Sequence, residues 1–254
     1  MAEQIVKVSA LTKSYNNEVV LNIPDLSIER GRSFGLVGNN GAGKTTLYRC
    51  LLDLIEPDQG EVFLRDIPVA KDESWKDFTG SFIDEGFLID YLTPDEYFGF
   101  IAKLHNISGE ELEHSLTGYE DFFKGEIRGK KKYIRDLSKG NQKKVGIVGA
   151  LLGNPDLLIL DEPFANLDPS TQYQLRDQLK KLDEETDITM LISSHDLVHV
   201  TEFCQRIVIL DKGEIVKDIH TTSETLRELE DFFVKKVRGS ESSPGSLEEE
   251  SASS

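Results

Sequence analysis

The stretch Gly38-Asn39-Asn40-Gly41-Ala42-Gly43-Lys44-Thr45-Thr46 fits the spacing G-x-x-x-x-G-K-[ST]. Glycines let a backbone curl until successive N–H groups point at one anion, and a helix beginning at the lysine adds the positive end of its dipole. Lys44 then offers a fixed cation to the β- and γ-phosphates of a nucleoside triphosphate, and the Thr45 hydroxyl offers a ligand to Mg2+. A second constellation lies further along. Leu157-Leu158-Ile159-Leu160 is an apolar run that delivers two carboxylates, Asp161 and Glu162, to a strand end. Asp161 is suited to hold the magnesium ion, directly or through water. Glu162, one residue on, is suited to polarise a water for in-line attack on the γ-phosphate. An apolar strand ending in Asp-Glu is common by itself; paired with the phosphate loop it points to phosphoryl transfer to water.

These residues need particular elements behind them. Ser33 to Val37 reads as a short buried strand running into the glycine-rich turn, and Lys44 to Ile55 has the apolar spacing of a helix. Upstream, Ile5 to Val8 and Val19 to Ile28 read as strands of an antiparallel edge sheet. Gly60 to Leu64 and Gly80 to Ile83 read as further short strands. Pro94 to Leu104 and Gly109 to Leu116 read as helices, the first with proline in its opening turn. Gly140 to Leu152 is a predicted helix and Leu157 to Leu160 a strand buried on both faces, as in a parallel sheet. Helix 170–184 and strand Ile188 to Ile192 continue the alternation. Arg206 to Leu210 and Glu214 to Asp218 flank Asp211-Lys212-Gly213 as a hairpin, and Ser223 to Val237 reads as a closing helix.

Composition bounds the answer from outside. The 254 residues are 38% hydrophobic and 30% charged, enough to bury a core. A formal net charge of −17 argues against nucleic acid as a partner, since phosphate backbones are bound by basic surface. No run approaches the ~18 apolar residues of a membrane span, and the start lacks a secretory pattern, so the expected location is the cytosol. Cys50 and Cys204 have no metal-ligand spacing and read as small buried hydrophobes. Residues 239–254 are almost wholly Ser, Glu, Gly and Pro, and read as a disordered acidic tail.

Leu137-Ser138-Lys139-Gly140-Asn141, about twenty residues before Asp161-Glu162, resembles the LSGGQ signature of the ABC (ATP-binding cassette) ATPases. The resemblance covers residues 4 to 220, and further matches follow in family order. It implies that Tyr15 stacks on adenine, that Ala165-Asn166-Leu167-Asp168 is the D-loop, and that His195, within Ser194-His195-Asp196, is the switch histidine facing the γ-phosphate. The implied fold is α/β, a P-loop NTPase of ABC type. It has a mainly parallel core sheet, an antiparallel β subdomain and a helical subdomain. A core lobe (1–84 and 155–220), a helical lobe (85–154) and a C-terminal helix (221–238) make up one ATPase domain over 1–238. The implied cofactors are ATP and Mg2+. Two cassettes, the same or different, are implied to dimerise head to tail, with Ser138, Gly140 and Asn141 of one meeting the ATP of the other. Asp168 would communicate between the sites.

The chain departs from the family pattern at Lys139, where glycine is usual, and at Asn141, where glutamine is usual. The loop joining the lobes has Asp84 where the family has a metal-contacting glutamine, with Glu85 beside it as the other candidate. Lys124 to Lys144 is a basic run around the signature in an otherwise acidic chain. Its functional reading is attraction of the second cassette's nucleotide, or of acidic groups on a partner or lipid surface, and its plain reading is a solvated helical face and loop; Lys139 and Lys143 adjoin the expected phosphate contact and favour the functional one. Tyr91-Leu92-Thr93-Pro94-Asp95-Glu96-Tyr97 resembles export-type cassettes. The resemblance thus implies the motor of a membrane transporter, working with a separately encoded transmembrane permease subunit, peripheral on the inner face of the cell membrane. The alternative is a soluble ABC ATPase in a non-transport role such as iron–sulfur assembly.

Overall fold

A computed structural model describes residues 3–231 and 233. Strands β1 (Gln4–Tyr15) and β2 (Glu18–Glu29) pair antiparallel around Asn16-Asn17, both at left-handed φ of 50° and 65°. Asparagine tolerates that conformation, and paired left-handed residues give the turn whose twist matches two flanking strands. One face of the pair buries Val6, Val8, Leu11, Leu21, Ile23 and Ile28.

β3 (Ser33–Val37) is buried throughout and leads through the glycine loop into α1 (Lys44–Leu51). The helix expected to reach Ile55 stops at Leu51. Leu52 departs to φ −96° and ψ 11°, and Asp53 turns left-handed at 51°, which ends the helix as a left-handed residue commonly does. β4 (Gln59–Leu64) and β5 (Ile67–Pro68) complete a sheet of order β2-β1-β4-β5. β6 (Thr79–Phe82) belongs to a different sheet.

The helical lobe follows as α2 (Pro94–Leu104), α3 (Gly109–Thr117), α4 (Glu120–Phe123) and α5 (Lys139–Leu151). Thr93 with Glu96, and Ser108 with Glu111, form reciprocal capping boxes that start the first two helices. Phe98 and Phe123 stack with centroids 5.8 Å apart and both are fully buried, so truncating Phe98 to alanine costs about 3–5 kcal/mol. α5 is clamped to the core lobe at Gly146, where any Cβ would fall 2.2 Å from the Phe82 ring.

β7 (Leu157–Leu160), α6 (Pro169–Glu185), β8 (Thr189–Ser194), α7 (Leu197–Thr201), β9 (Arg206–Asp211) and β10 (Glu214–His220) finish this unit. The second sheet runs β10-β9-β3-β8-β7-β6, parallel except for the antiparallel β9–β10 hairpin. The expected parallel core, antiparallel subdomain and helical subdomain are all present. In register, Val37 lies beside Ser194 and Leu160 beside Ile192, so β3, β7 and β8 end together. Ligands of open α/β sheets bind outside such carboxyl ends.

The described residues from Thr222 onward belong to a second unit. Within it the Thr222 N–H donates to Thr225 Oγ1 at 2.8 Å, and residues 225–231 are helical. The remainder of the helix expected over 223–237, and the tail 239–254, lie outside the described residues.

Candidate active site

The loop from Gly38 to Gly43 is held in a shape that only glycine permits at its two ends. A Cβ on Gly38 would sit 2.3 Å from the Leu210 carbonyl, and Gly43, at φ 106°, precedes the first turn of α1. A cleft of about 180 Å3 opens over the loop, lined by residues 39–46 together with Val20 and Glu162. Of the expected phosphate-binding residues, Asn39 to Thr46 therefore share one concave surface at the start of α1, with Gly38 leading into it.

Lys44 is 6% exposed. Its Nζ donates to the carbonyls of Gly38 at 2.5 Å and Asn39 at 3.3 Å. It also lies 3.1 Å from Glu162 Oε1, an ion pair without the angle of a hydrogen bond. The other carboxylate oxygen, Glu162 Oε2, contacts His195 Nδ1 at 2.8 Å and accepts from the His195 backbone N–H at 3.3 Å. Glu162 is thus held between the cation of the loop and the histidine at the end of β8.

Asp161 is buried at the end of β7 and accepts the hydroxyls of Thr45 through Oδ2 and of Ser193 through Oδ1. Burial raises its pKa, the two hydroxyls oppose that, and the neighbouring Glu162 adds to it. Ser193 also accepts the Glu162 N–H at 2.8 Å, so one hydroxyl on β8 fixes both acidic residues. Thr45 and Asp161 bring two hard oxygen donors into contact at the cleft, which fits Mg2+. Among the described residues no group of three or more His, Cys, Asp or Glu is arranged to hold a metal. A pair of protein oxygens fits an ion that keeps waters and takes phosphate oxygens for its other positions.

The remaining expected residues lie elsewhere. Tyr15, at the end of β1, is 44% exposed with Lys13 Nζ 5.6 Å from its ring, and Val20 of the same hairpin is the residue that lines the cleft. Asp84 Oδ1 accepts the Gly86 N–H at 2.6 Å and caps the turn at the lobe junction. Asp168 caps α6, accepting from the backbone and hydroxyls of Ser170 and Thr171. Ser138 caps α5 by accepting the Asn141 N–H at 3.2 Å, and Asn141 Nδ2 donates to Glu126. Gly140 faces Leu167, within the run expected as the D-loop. Sequence reasoning missed Val20 and Ser193, and expected Lys143 to adjoin the phosphate contact of the signature, whereas its ammonium donates to the Glu162 and Ala165 carbonyls. Ser193 stood one residue before the expected switch motif, and Lys143 was inside the basic run, but neither position shows its partners in the sequence.

The ABC_tran model, described as ABC transporter, matches residues 21–165. An ABC transporter ATP-binding protein of Synechocystis sp., sll0415, is 35% identical over 208 residues, which is 81% of this chain and 58% of that protein. The Nod factor export ATP-binding protein I of Cupriavidus pinatubonensis is 30% identical over 218 residues, 84% of this chain and 66% of that protein. The chain thus spans less than two thirds of the length of either relative. The dimeric post-hydrolysis structure of the ATP-binding cassette MJ0796 bound to ADP and Pi superposes with a TM-score of 0.76 at 28% identity, over 86% of this chain and 99% of that one. Phosphate loop, paired carboxylates, histidine and family match agree: the chain belongs to the ABC transporter family and has the fold of its ATP-binding cassettes.

Proposed function

We propose that this cassette is the motor subunit of an exporter, and that two copies close head to tail around two ATP molecules to drive a separately encoded permease. The observation that carries the catalytic part is the placement of Glu162 between Lys44 and His195. When triphosphate enters the cleft, Lys44 exchanges Glu162 for phosphate oxygens and leaves the carboxylate beside His195, free to take a proton from the attacking water. Thr45 and Asp161 would hold Mg2+, which when bound would supply positive charge against the phosphates. Asp84 adds a further oxygen from the lobe junction, and Tyr15 stacks on the base. Ser138, Gly140 and Asn141 lie outside the residues lining the cleft, which supports their use on the ATP of a second copy.

A groove of about 340 Å3 at the lobe junction supports the permease reading. Phe87 is 57% exposed and Leu54 46% at its edge, with Trp75, Leu88 and Tyr97 buried in its walls. Exposed aromatic surface rimming a concave patch is the usual mark of a protein partner. No helix among the described residues is long and apolar enough to cross a membrane, and in this reading the spanning helices are the permease's. The export direction is supported by the Tyr91 to Tyr97 resemblance and by the Nod factor export relative. The transport name of that relative does not favour the iron–sulfur alternative.

Glu162→Gln keeps shape and removes the base, so the variant should bind ATP with wild-type affinity while turnover falls at least about 100-fold. Turnover within a few-fold of wild type would contradict the assignment.

A further inference from the structure

Lys143 sits in the basic run, on the second turn of α5, in the helical lobe. In the structure it is 7% exposed and its ammonium reaches out of that lobe into the core lobe. Nζ donates to the Glu162 carbonyl at 2.9 Å and to the Ala165 carbonyl at 2.8 Å, and lies 4.0 Å from Glu85 Oε1 at the lobe junction. The two carbonyls belong to a strained segment. Glu162 has φ 46° and Asn166 has φ 61°. Asparagine adopts the left-handed region readily; glutamate does not, and holds it only where neighbours over-determine it. The neighbours of Glu162 are now identifiable: Ser193 takes its N–H from the β8 side and Lys143 takes its C=O from the α5 side.

Burial pulls the Lys143 pKa down, while the nearby carboxylates of Glu85, Glu162, Asp161 and Asp84 oppose that shift. A buried ammonium is costly unless its donors are matched. Two carbonyls and an acidic surround match these.

We propose that Lys143 is a positioning residue for hydrolysis: it holds the Glu162 peptide and the following loop in the left-handed geometry that aims the catalytic carboxylate, and through Glu85 it ties that geometry to the lobe junction. This rests on the reading of Glu162 as the base. Because Lys143 stands on the helical lobe and its carbonyl partners on the core lobe, rotation of one lobe against the other changes the aim of Glu162 without altering the phosphate loop. The effect of Lys143 therefore belongs to turnover and not to ATP affinity.

The test measures steady-state ATPase, ATP affinity by fluorescent-nucleotide titration and thermal unfolding for Lys143→Met, Lys143→Arg, Lys143→Gln and Glu162→Gln. Methionine keeps the apolar stem and removes the donors, and should lower kcat by about 10- to 100-fold with ATP affinity within about twofold, as expected for a misaimed group. Arginine restores charged donors and should recover kcat to within about fivefold of wild type. Wild-type kcat in Lys143→Met overturns the proposal. So does a loss of kcat accompanied by an equal loss of ATP affinity and no rescue by arginine, which is what simple damage to packing produces. If Lys143→Met does not fold, Lys143→Gln carries the test, with reduced kcat at unchanged affinity expected and wild-type kcat overturning the proposal. Glu162→Gln separates the two levels: if it turns over normally the catalytic reading itself fails, whereas an inactive Glu162→Gln beside a normal Lys143→Met removes only the role of Lys143.

Discussion

The two ends of the nucleotide machinery are built differently. Around the phosphate loop each functional group is held by the same chain: Lys44 by carbonyls and Glu162, Asp161 by two hydroxyls, Glu162 by His195 and Ser193. At the signature, Ser138 is exposed and its hydroxyl serves its own helix, while Gly140 and Asn141 are only half-buried. The first region is a finished site whose chemistry can be derived from one chain. The second is a helix N-terminus on a surface, and its function follows only if another molecule brings the anion. Preorganised groups act on a transition state because they need no rearrangement; a surface terminus waits for assembly.

The sharpest way to break the finished site is Lys44→Ala. The phosphates lose their fixed cation and ATPase should fall by about 1000-fold with tight ATP binding lost, measured by phosphate release and nucleotide titration. Ser138→Arg probes the other region. It places a bulky cation at an exposed position, so ATP binding should persist while turnover falls about 100-fold, the size of effect seen when a transition-state contact is removed. Equal damage to binding and turnover would show that the signature acts within its own chain.

Asp84 tests the border between the regions. A carboxylate near a polyphosphate adds repulsion that a neutral amide does not, so Asp84→Gln should reach half-maximal ATPase at a magnesium concentration a few-fold lower, about half a kcal/mol of electrostatics. Glu85→Gln run beside it locates the effect. If neither curve moves, the lobe junction does not touch the metal and Asp84 serves only the turn it caps at Gly86.

The smallest effect concerns Asp168. Hydroxyl and backbone donors of Thr171 and Ser170 hold its carboxyl far below the usual range. A depressed folded value stabilises the fold above the unfolded value of about 3.9, and that contribution fades as pH falls below it. Wild type should therefore melt above Asp168→Asn at pH 5, with the gap narrowing toward pH 2. A gap independent of pH contradicts the assignment.

Much of the core lobe was legible because its signals are local. Gly38 to Thr45 dictates a loop by residue type, and Leu157 to Leu160 dictates a buried strand by composition, so neither needs a distant contact to be recognised. The helix from Lys44 was read too long because Leu54 and Ile55 continue the apolar spacing, whereas the left-handed turn at Asp53 leaves no mark beyond a residue type that permits it. Ser193 carries no signal of its role, and the basic run marks Lys143 without its partners, because those partners lie 31 and 19 residues away in the chain. Spacing rules reach one helix or one strand. Contacts between lobes lie beyond them.

The central claim is that each working site takes its phosphate loop from one copy and its signature from another, and a mixing experiment tests it most directly. Lys44→Ala and Ser138→Arg should each be nearly inactive alone. Mixed in equal amounts with Mg-ATP, half of the dimers pair one of each, and in those one site has both an intact loop and an intact signature. About a quarter of wild-type ATPase per chain should therefore return if the sites act independently. A mixture no more active than the two variants measured separately would contradict head-to-tail assembly of this chain.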